Sequence, residues 1–297
     1  MPMESIIKQQ SAVSNQQSAA ERQILTETGF FWRERNGVKV LVCLALEDTG
    51  FVNGFSTRIG GVSPFPKNDL NLAGFDEDPA ANIAENRRRF LAVFGGDMQL
   101  ATVWQVHGHA IKTVKDMAEI ADSDERADAI VSDLSGFFVG VKTADCVPIL
   151  IGDPRSGAFA AVHAGWRGTV QLIVKKAISQ MYDIYGTNPK NLICAIGPAA
   201  SGENYEIGGD VINAFAENFA NSEKYFRPTR DGHALVDLHL TNRDQLVDVG
   251  VRDENIFTAP FCTMERPDLF FSYRLEKRKY GKIGRLLSVI GRPLATI

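Results

Sequence analysis

A chain of 297 residues with 44% apolar and 23% charged residues is long enough to bury a large core, as one domain or two merged halves. A formal net charge of −4, with no basic run, removes the electrostatic case for nucleic-acid binding. Apolar runs such as Val147–Ile151 and Leu286–Ile290 are far too short to cross a bilayer, so no membrane role is expected.

Met1 to Arg22 is rich in Ser, Gln and Ala, lacks the apolar segment of a secretory signal and reads as a mobile or weakly helical tail. The remainder, residues 23–297, shows no linker and is expected to be a single domain. Phe30–Trp32 and Val38–Leu46 read as strands around the turn Glu34-Arg-Asn-Gly37. Asn53–Arg58 runs into Ile59-Gly-Gly-Val-Ser-Pro64, expected as a glycine-bearing loop. Asp78-Pro79 is a helix start, with Asp as cap, leading through Asn82–Phe94 to a stop at Gly95-Gly96. Thr102–Val106 is a short strand that delivers His107, and Ala129–Ser132 and Phe137–Lys142 are further strands. Thr169–Tyr185 carries apolar residues at helical spacing and ends at Gly186. Leu192–Ile196, Ile256–Ala259 and Leu286–Ile290 look like strands; Asp210–Phe219 and Leu240–Val249 look helical. Without a regular βαβ cadence, this mixture predicts an α+β fold with mixed β-sheets.

Four scattered cysteines, Cys43, Cys146, Cys194 and Cys262, form no C-x-x-C pair, which favours reduced thiols and a cytoplasmic setting. One of them belongs to the most informative stretch. Thr143-Ala-Asp-Cys146 and His163-Ala-Gly-Trp-Arg-Gly168 lie on either side of the turn Gly152–Gly157, flanked by apolar runs. If Val147–Ile151 and Ala158–Val162 pair as a hairpin about Asp153–Gly157, Cys146 and His163 fall nearly opposite each other, within reach of one metal ion. A third ligand, His107, stands in Gln105-Val-His-Gly108. Two imidazoles and a thiolate are a set known for catalytic zinc, with a fourth position open to water or substrate.

Taken singly, Cys146 reads as a small core hydrophobe and His163 as a satisfied core histidine. Their neighbours argue otherwise, because Thr143, Asp145 and Pro148 are poor companions for a plain central strand. Asp145 is either a turn acceptor or a partner of a ligating imidazole. Arg167, beside a helix start at Gly168-Thr169, would complete an anion pocket. Arg58, ahead of Gly60-Gly61, has the pattern of a substrate-binding loop, with a surface arginine as the plainer reading; the same pair of readings covers Arg274 and Lys142. His109 reads as solvent-facing, and His233 and His239 as structural or exposed.

These segments together resemble the bacterial laccase-domain family, also described as zinc-dependent purine nucleoside phosphorylases and as peptidoglycan editing factors. The matching pieces are Ser56–Ser63, Asn71-Leu72, Asn86-Arg87, Gln105–Gly108, Ala127–Ala129, Thr143–Leu150, Val162–Thr169, Ile196–Pro198, Tyr205-Glu206 and Phe270–Arg274. They cover roughly Phe51 to Pro293. The resemblance implies a layered α/β/β/α sandwich, and metal ligands at His107, Cys146 and His163. It also implies phosphorolysis of adenosine, inosine, guanosine and methylthioadenosine by inorganic phosphate, with adenosine deamination in some members. Gly197-Pro-Ala-Ala-Ser201 lacks the cysteine that some relatives carry there. Five histidines cannot supply the trinuclear cluster of a multicopper oxidase, so one zinc per chain is expected ahead of copper. The deaminase signature H-x-E with P-C-x-x-C is missing too.

On this reading Arg58 and Arg167 neutralise phosphate, and Asp145 serves as a base near the zinc. Two rivals stand beside it. One is a metal-free hydrolase with Cys146 as nucleophile and His163 as base, editing muropeptide precursors. The other is a binding protein with structural zinc, taking Cys194 or His109 as fourth ligand.

Overall fold

The computed structural model of the chain describes residues 19–64, 69–74, 78–95 and 98–294. Residues 19–28 form helix α1, followed by strands β1 (Phe30–Arg35) and β2 (Val38–Cys43), helix α2 (Leu44–Asp48), and strands β3 (Val52–Ser56) and β4 (Ile59–Ser63). Helix α3 (Ala80–Ala92) leads to strands β5 (Gln99–Trp104), β6 (Ile111–Thr113), β7 (Asp122–Arg126), β8 (Ala129–Ser132) and β9 (Phe137–Thr143). The hairpin β10 (Val147–Gly152) and β11 (Phe159–Ala164) precedes α4 (Trp166–Val170), α5 (Ile173–Tyr185) and β12 (Ile193–Ile196). Then come β13 (Glu206–Gly208), α6 (Gly209–Asn218), β14 (Phe226–Pro228), β15 (His233–Val236) and α7 (Leu238–Asp248). Strand β16 (Ile256–Thr258), α8 (Tyr273–Tyr280) and β17 (Leu286–Arg292) close the chain.

Two mixed sheets carry the fold. One has the order β1-β2-β3-β17-β9-β5-β7, the other β16-β12-β10-β11-β8-β6, and β13-β15-β14 form a small third sheet. The two large sheets pack face to face, Phe55, Phe137 and Val141 of the first meeting Ile130, Leu150 and Phe159 of the second. Phe90 of α3 covers the outer face of the first sheet, against Val40, Phe138 and Val289. Helices α5 and α7 cover the second, through Ile173, Ala177, Met181 and Leu246. The architecture is the expected α+β sandwich of α/β/β/α layers. It explains why β10 and β11 read as continuous apolar runs: every position on them is buried, because both faces of their sheet are covered.

Several local expectations change. The strand begun at Val38 ends at Cys43, and Leu44–Asp48 turns into a helix. Ile59–Ser63 is a strand rather than a loop, and a methyl group on Gly60 or Gly61 would collide with the backbone of Gly37 or Asp69. These glycines permit close strand packing. Asp78 does not cap α3; its carboxylate accepts from Ser63 Oγ, Asn71 Nδ2 and Asn82 Nδ2. The long helix expected from Thr169 is broken, with Leu172 at φ 60°. The Thr169 carbonyl, which a continuous helix would give to residue 173, instead accepts from Leu172 N and from Gln245 Nε2 of α7. Of the expected N-terminal tail, residues 1–18 lie outside the described residues, and residues 19–22 belong to α1.

Pro148 sits in the middle of a sheet, where proline is disfavoured. Gly197 N donates to the Pro148 carbonyl at 2.8 Å, but proline has no N–H to return to Gly197. His239 Nε2 supplies it, 3.1 Å from the Gly197 carbonyl. Burial holds the His239 imidazole below its usual pKa, against the opposing charge of Asp237, so it stays neutral as a donor. Among the described residues, no helix is long and apolar enough to cross a membrane.

Gly61→Ala is expected to destabilise the protein by about 1–3 kcal/mol, the cost of overpacking a close contact. Urea denaturation followed by tryptophan fluorescence measures it, and an unchanged midpoint would contradict the packing role given to this glycine.

Candidate active site

Beyond Trp104 the first sheet is continued by a side chain. Gln105 Nε2 donates to the Lys142 carbonyl at 2.7 Å, and Gln105 Oε1 accepts from Lys142 N at 2.7 Å. The amide thus imitates a peptide group paired with β9 and fixes the chain just before His107. The next three residues wrap around the buried carboxylate of Asp128. Its Oδ1 accepts from His107 N at 3.0 Å, and its Oδ2 from Gly108 N at 2.6 Å and Val106 N at 3.3 Å. His107 adopts φ 58°, an uncommon conformation for a non-glycine residue; these bonds hold it there.

Asp128 also reaches His163, Oδ1 lying 2.8 Å from Nδ1. That contact makes Nδ1 the protonated nitrogen and turns Nε2 towards Cys146, its lone pair available to a metal ion. The Asp128 carbonyl accepts from His163 N at 2.8 Å as well. Burial works against the charged carboxylate, but His163 and the surrounding N–H groups outweigh it and hold Asp128 below the usual range. The sequence reading noted Ala127–Ala129 without giving Asp128 a role. The only local signal is an acidic residue between two apolar ones where a buried strand begins.

Cys146 comes from the turn between β9 and β10. Asp145 has φ 83° there. Its carboxylate accepts from Thr263 Oγ1 at 2.6 Å, Ser272 Oγ at 3.0 Å and Arg274 N at 2.7 Å. Its carbonyl accepts from Ala200 N at 3.0 Å. The hairpin register pairs Pro148 with His163 and Val147 with Ala164, so Cys146 lies just past the strand end, diagonal to His163 on the same face. A methyl group on Gly165 would stand 3.1 Å from Cys146 Sγ and 3.2 Å from His107 Cδ2, tight enough to crowd both side chains.

Ligand atoms of His107, Cys146 and His163 all lie within 4.8 Å of one another, the one such group among the described residues. The two imidazoles meet edge to face, centroids 4.9 Å apart at 79°. His163 is buried, Cys146 half-buried and His107 exposed, which opens the group to solvent on one side. Two nitrogens and one sulfur so placed suit a single zinc or copper ion. Without a metal the group polarises itself. Burial alone would raise the thiol, yet the imidazoles of His163 and His107 bring Cys146 down to about 6. Burial alone would lower His163, yet Cys146 and Asp128 bring it up to about 9.

The other residues singled out in the sequence fall as follows. Arg58 is buried and fully engaged, by Asp69 at 2.8 and 3.2 Å, Glu276 at 2.8 Å and the Pro267 carbonyl at 2.9 Å. It lies beside an open cleft of about 870 Å³, its charge paired with two carboxylates. Asp145 is likewise engaged on both carboxylate oxygens, which fits an anchor of the Cys146 turn better than a proton acceptor. Arg167 is exposed, its guanidinium 4.2 Å from the centroid of the Trp166 ring. Lys142 Nζ donates to the Val103 carbonyl. His109 is exposed and pairs with Gln171, and Cys194 is buried in the core under α5 and α7; neither joins the ligand group.

Residues 52–293 match the family described as multi-copper polyphenol oxidoreductase laccase. The chain is 37% identical over 242 residues to a protein of Deinococcus radiodurans named purine nucleoside phosphorylase, covering 81% of this chain and 89% of that one. It is 37% identical over 237 residues to purine nucleoside phosphorylase YfiH of Escherichia coli, covering 79% and 91%. The crystal structure of YlmD from Geobacillus stearothermophilus superposes with a TM-score of 0.79 at 30% identity, over 89% of this chain and 99% of that one. The fold and the His-Cys-His group thus define a laccase-like sandwich protein with one candidate metal centre. This chain belongs to the laccase-domain family that includes the YfiH and YlmD purine nucleoside phosphorylases.

Asp128→Asn would present an N–H where three backbone N–H groups and His163 need an acceptor. It is expected to weaken metal binding about 10–100-fold, read by zinc competition with a chromophoric chelator; unchanged affinity would remove Asp128 from the site. In metal-depleted protein, alkylation of Cys146 by iodoacetamide should rise through a midpoint near pH 6, below the ~8.5 of a free thiol. The depressed value means the thiolate is present above that pH and lost below it. Added zinc should suppress the reaction.

Proposed function

We propose that this protein is a zinc-dependent purine nucleoside phosphorylase acting on adenosine, inosine, guanosine and methylthioadenosine. One zinc ion per chain would be held by His107, Cys146 and His163. The observation that carries the reading is the convergence of these three ligand atoms within 4.8 Å, in a chain with 37% identity to proteins named purine nucleoside phosphorylases. Zinc is preferred to a multicopper centre because no second ligand group exists among the described residues to form a trinuclear cluster.

In phosphorolysis a phosphate oxygen bonds to the anomeric carbon while the glycosidic C–N bond breaks, and the departing purine takes up a proton. A bound zinc ion would supply a Lewis acid next to the phosphate or the base. The protein's own part is positioning: Asp128 holds His163 in one tautomer and shapes the His107 turn, and Asp145 holds the turn that presents Cys146. Arg167, exposed immediately past the His163 strand, contributes positive charge for the phosphate. Adenosine deamination in the same pocket would be recognised by ammonia release that needs no phosphate.

One observation favours a second reading. Cys146, His163 and Asp128 line up as a thiol, an imidazole and the carboxylate that orients it, the order of a nucleophilic triad. A metal-free hydrolase of muropeptide precursors would use that order. The placement of the exposed His107 against the same thiol is what such a triad leaves unexplained.

The test is metal content together with base release from inosine and adenosine, with and without phosphate. About one zinc per chain and phosphate-dependent release of hypoxanthine are expected, and His107→Ala should lose both. Full turnover by a zinc-free His107→Ala protein would overturn the phosphorylase scheme in favour of the triad.

A further inference from the structure

With Arg58 neutralised by Asp69 and Glu276 and Lys142 bonded to a backbone carbonyl, two arginines near the ligand group keep their charge available: Arg167 and Arg274. Arg274 is exposed, and among the described residues it forms no ion pair, unlike Arg58 with its two carboxylates. Its backbone is nevertheless fixed to the site. Arg274 N donates to Asp145 Oδ2 at 2.7 Å, and Asp145 directly precedes Cys146. Ser272, which caps α8 by accepting from Leu275 N, donates its hydroxyl to the same carboxylate oxygen at 3.0 Å. The start of α8 is therefore clamped to the turn that carries the thiol.

The side chain is ordered as well. The Arg274 guanidinium lies over the Tyr205 ring, 5.0 Å from its centroid. Tyr205 is half-buried; burial pushes its phenol up, the Cys146 thiolate adds to this, and Arg274 opposes it. Tyr205 thus lies within electrostatic reach of both the thiol and the arginine. The guanidinium also hydrogen-bonds the Tyr205 hydroxyl, which takes up part of its five-donor fork and leaves the remaining N–H groups for two oxygens of a phosphate. The Asp145 carboxylate attracts the guanidinium electrostatically, but among the described residues no carboxylate forms an ion pair with it.

We infer that Arg274, held over Tyr205 and clamped through Asp145 to the Cys146 turn, is the residue that binds the inorganic phosphate co-substrate. This rests on the phosphorylase reading for its catalytic meaning, but the binding of phosphate can be tested apart from turnover. Substitution at Arg274 leaves the backbone N–H to Asp145 in place, so the ligand group should survive it. That separates loss of an anion site from collapse of the metal centre.

The experiment measures binding of inorganic phosphate to zinc-loaded wild type, Arg274→Ala, Arg274→Lys and Tyr205→Phe, by calorimetry and phosphorus NMR line width. Zinc content and the phosphate and inosine KM values are taken in parallel. Arg274→Ala should weaken phosphate binding and raise the phosphate KM at least about tenfold, as for a lost charge-assisted bond. Its zinc content and inosine KM should stay within about twofold of wild type. Arg274→Lys should recover part of the affinity, and Tyr205→Phe, which keeps the ring, most of it. Equal phosphate binding by wild type and Arg274→Ala, or none by wild type, would overturn the proposal. Phosphate binding lost in Arg274→Ala while wild type releases no base would instead retain the anion site and remove the phosphorylase reading.

Discussion

The buried carboxylate of Asp128 is the constraint on which the site depends. A carboxylate in a dry interior is costly unless its oxygens are satisfied, and this one is satisfied by the groups that need arranging. Three successive N–H groups close on it, which forces His107 out of the strand into a left-handed conformation. The same oxygen that binds His107 N fixes the tautomer of His163. Two ligands from distant parts of the chain are therefore aligned by one acid.

Asp145 does the corresponding work for the thiol. Its carboxylate gathers Thr263, Ser272 and the backbone of Arg274, so the C-terminal region is tied to the β9–β10 turn. Both acids spend their carboxylate oxygens in the service of backbone geometry. This accounts for unfavourable backbone angles at two neighbouring positions of the site, His107 and Asp145: such angles persist when surrounding bonds over-determine them. Gly165 completes the arrangement by withholding a side chain where sulfur and imidazole must meet.

Charge at the site is likewise a matter of pairing rather than of residue count. Arg58, offered by the sequence as an anion anchor alongside Arg167, is consumed by two carboxylates within the packing of β4 and α8. Arg167 and Arg274 lie at the surface without such partners. A cation with its hydrogen bonds already satisfied has little to offer an incoming anion.

Much of this was legible in the chain itself. Apolar runs bounded by turn residues gave β10 and β11, and the turn between them gave the hairpin that brings Cys146 towards His163. Ligand chemistry then singled out His107, because a hairpin sets contacts within a few residues and side-chain type limits what can bind a metal. Local pattern could not reveal that Ile59–Ser63 is a strand, since its glycines matter only against the backbones of Gly37 and Asp69. Nor could it show that the helix after Trp166 breaks, because the break depends on Gln245 from α7. The roles of Asp128, Asp145 and Arg58 were open in the sequence for the same reason: a charged side chain acquires its function from partners tens or hundreds of residues away. Sequence determined which residues could do chemistry and which strands carry them; only the tertiary structure decided which charges are spent on holding the fold and which remain for a ligand.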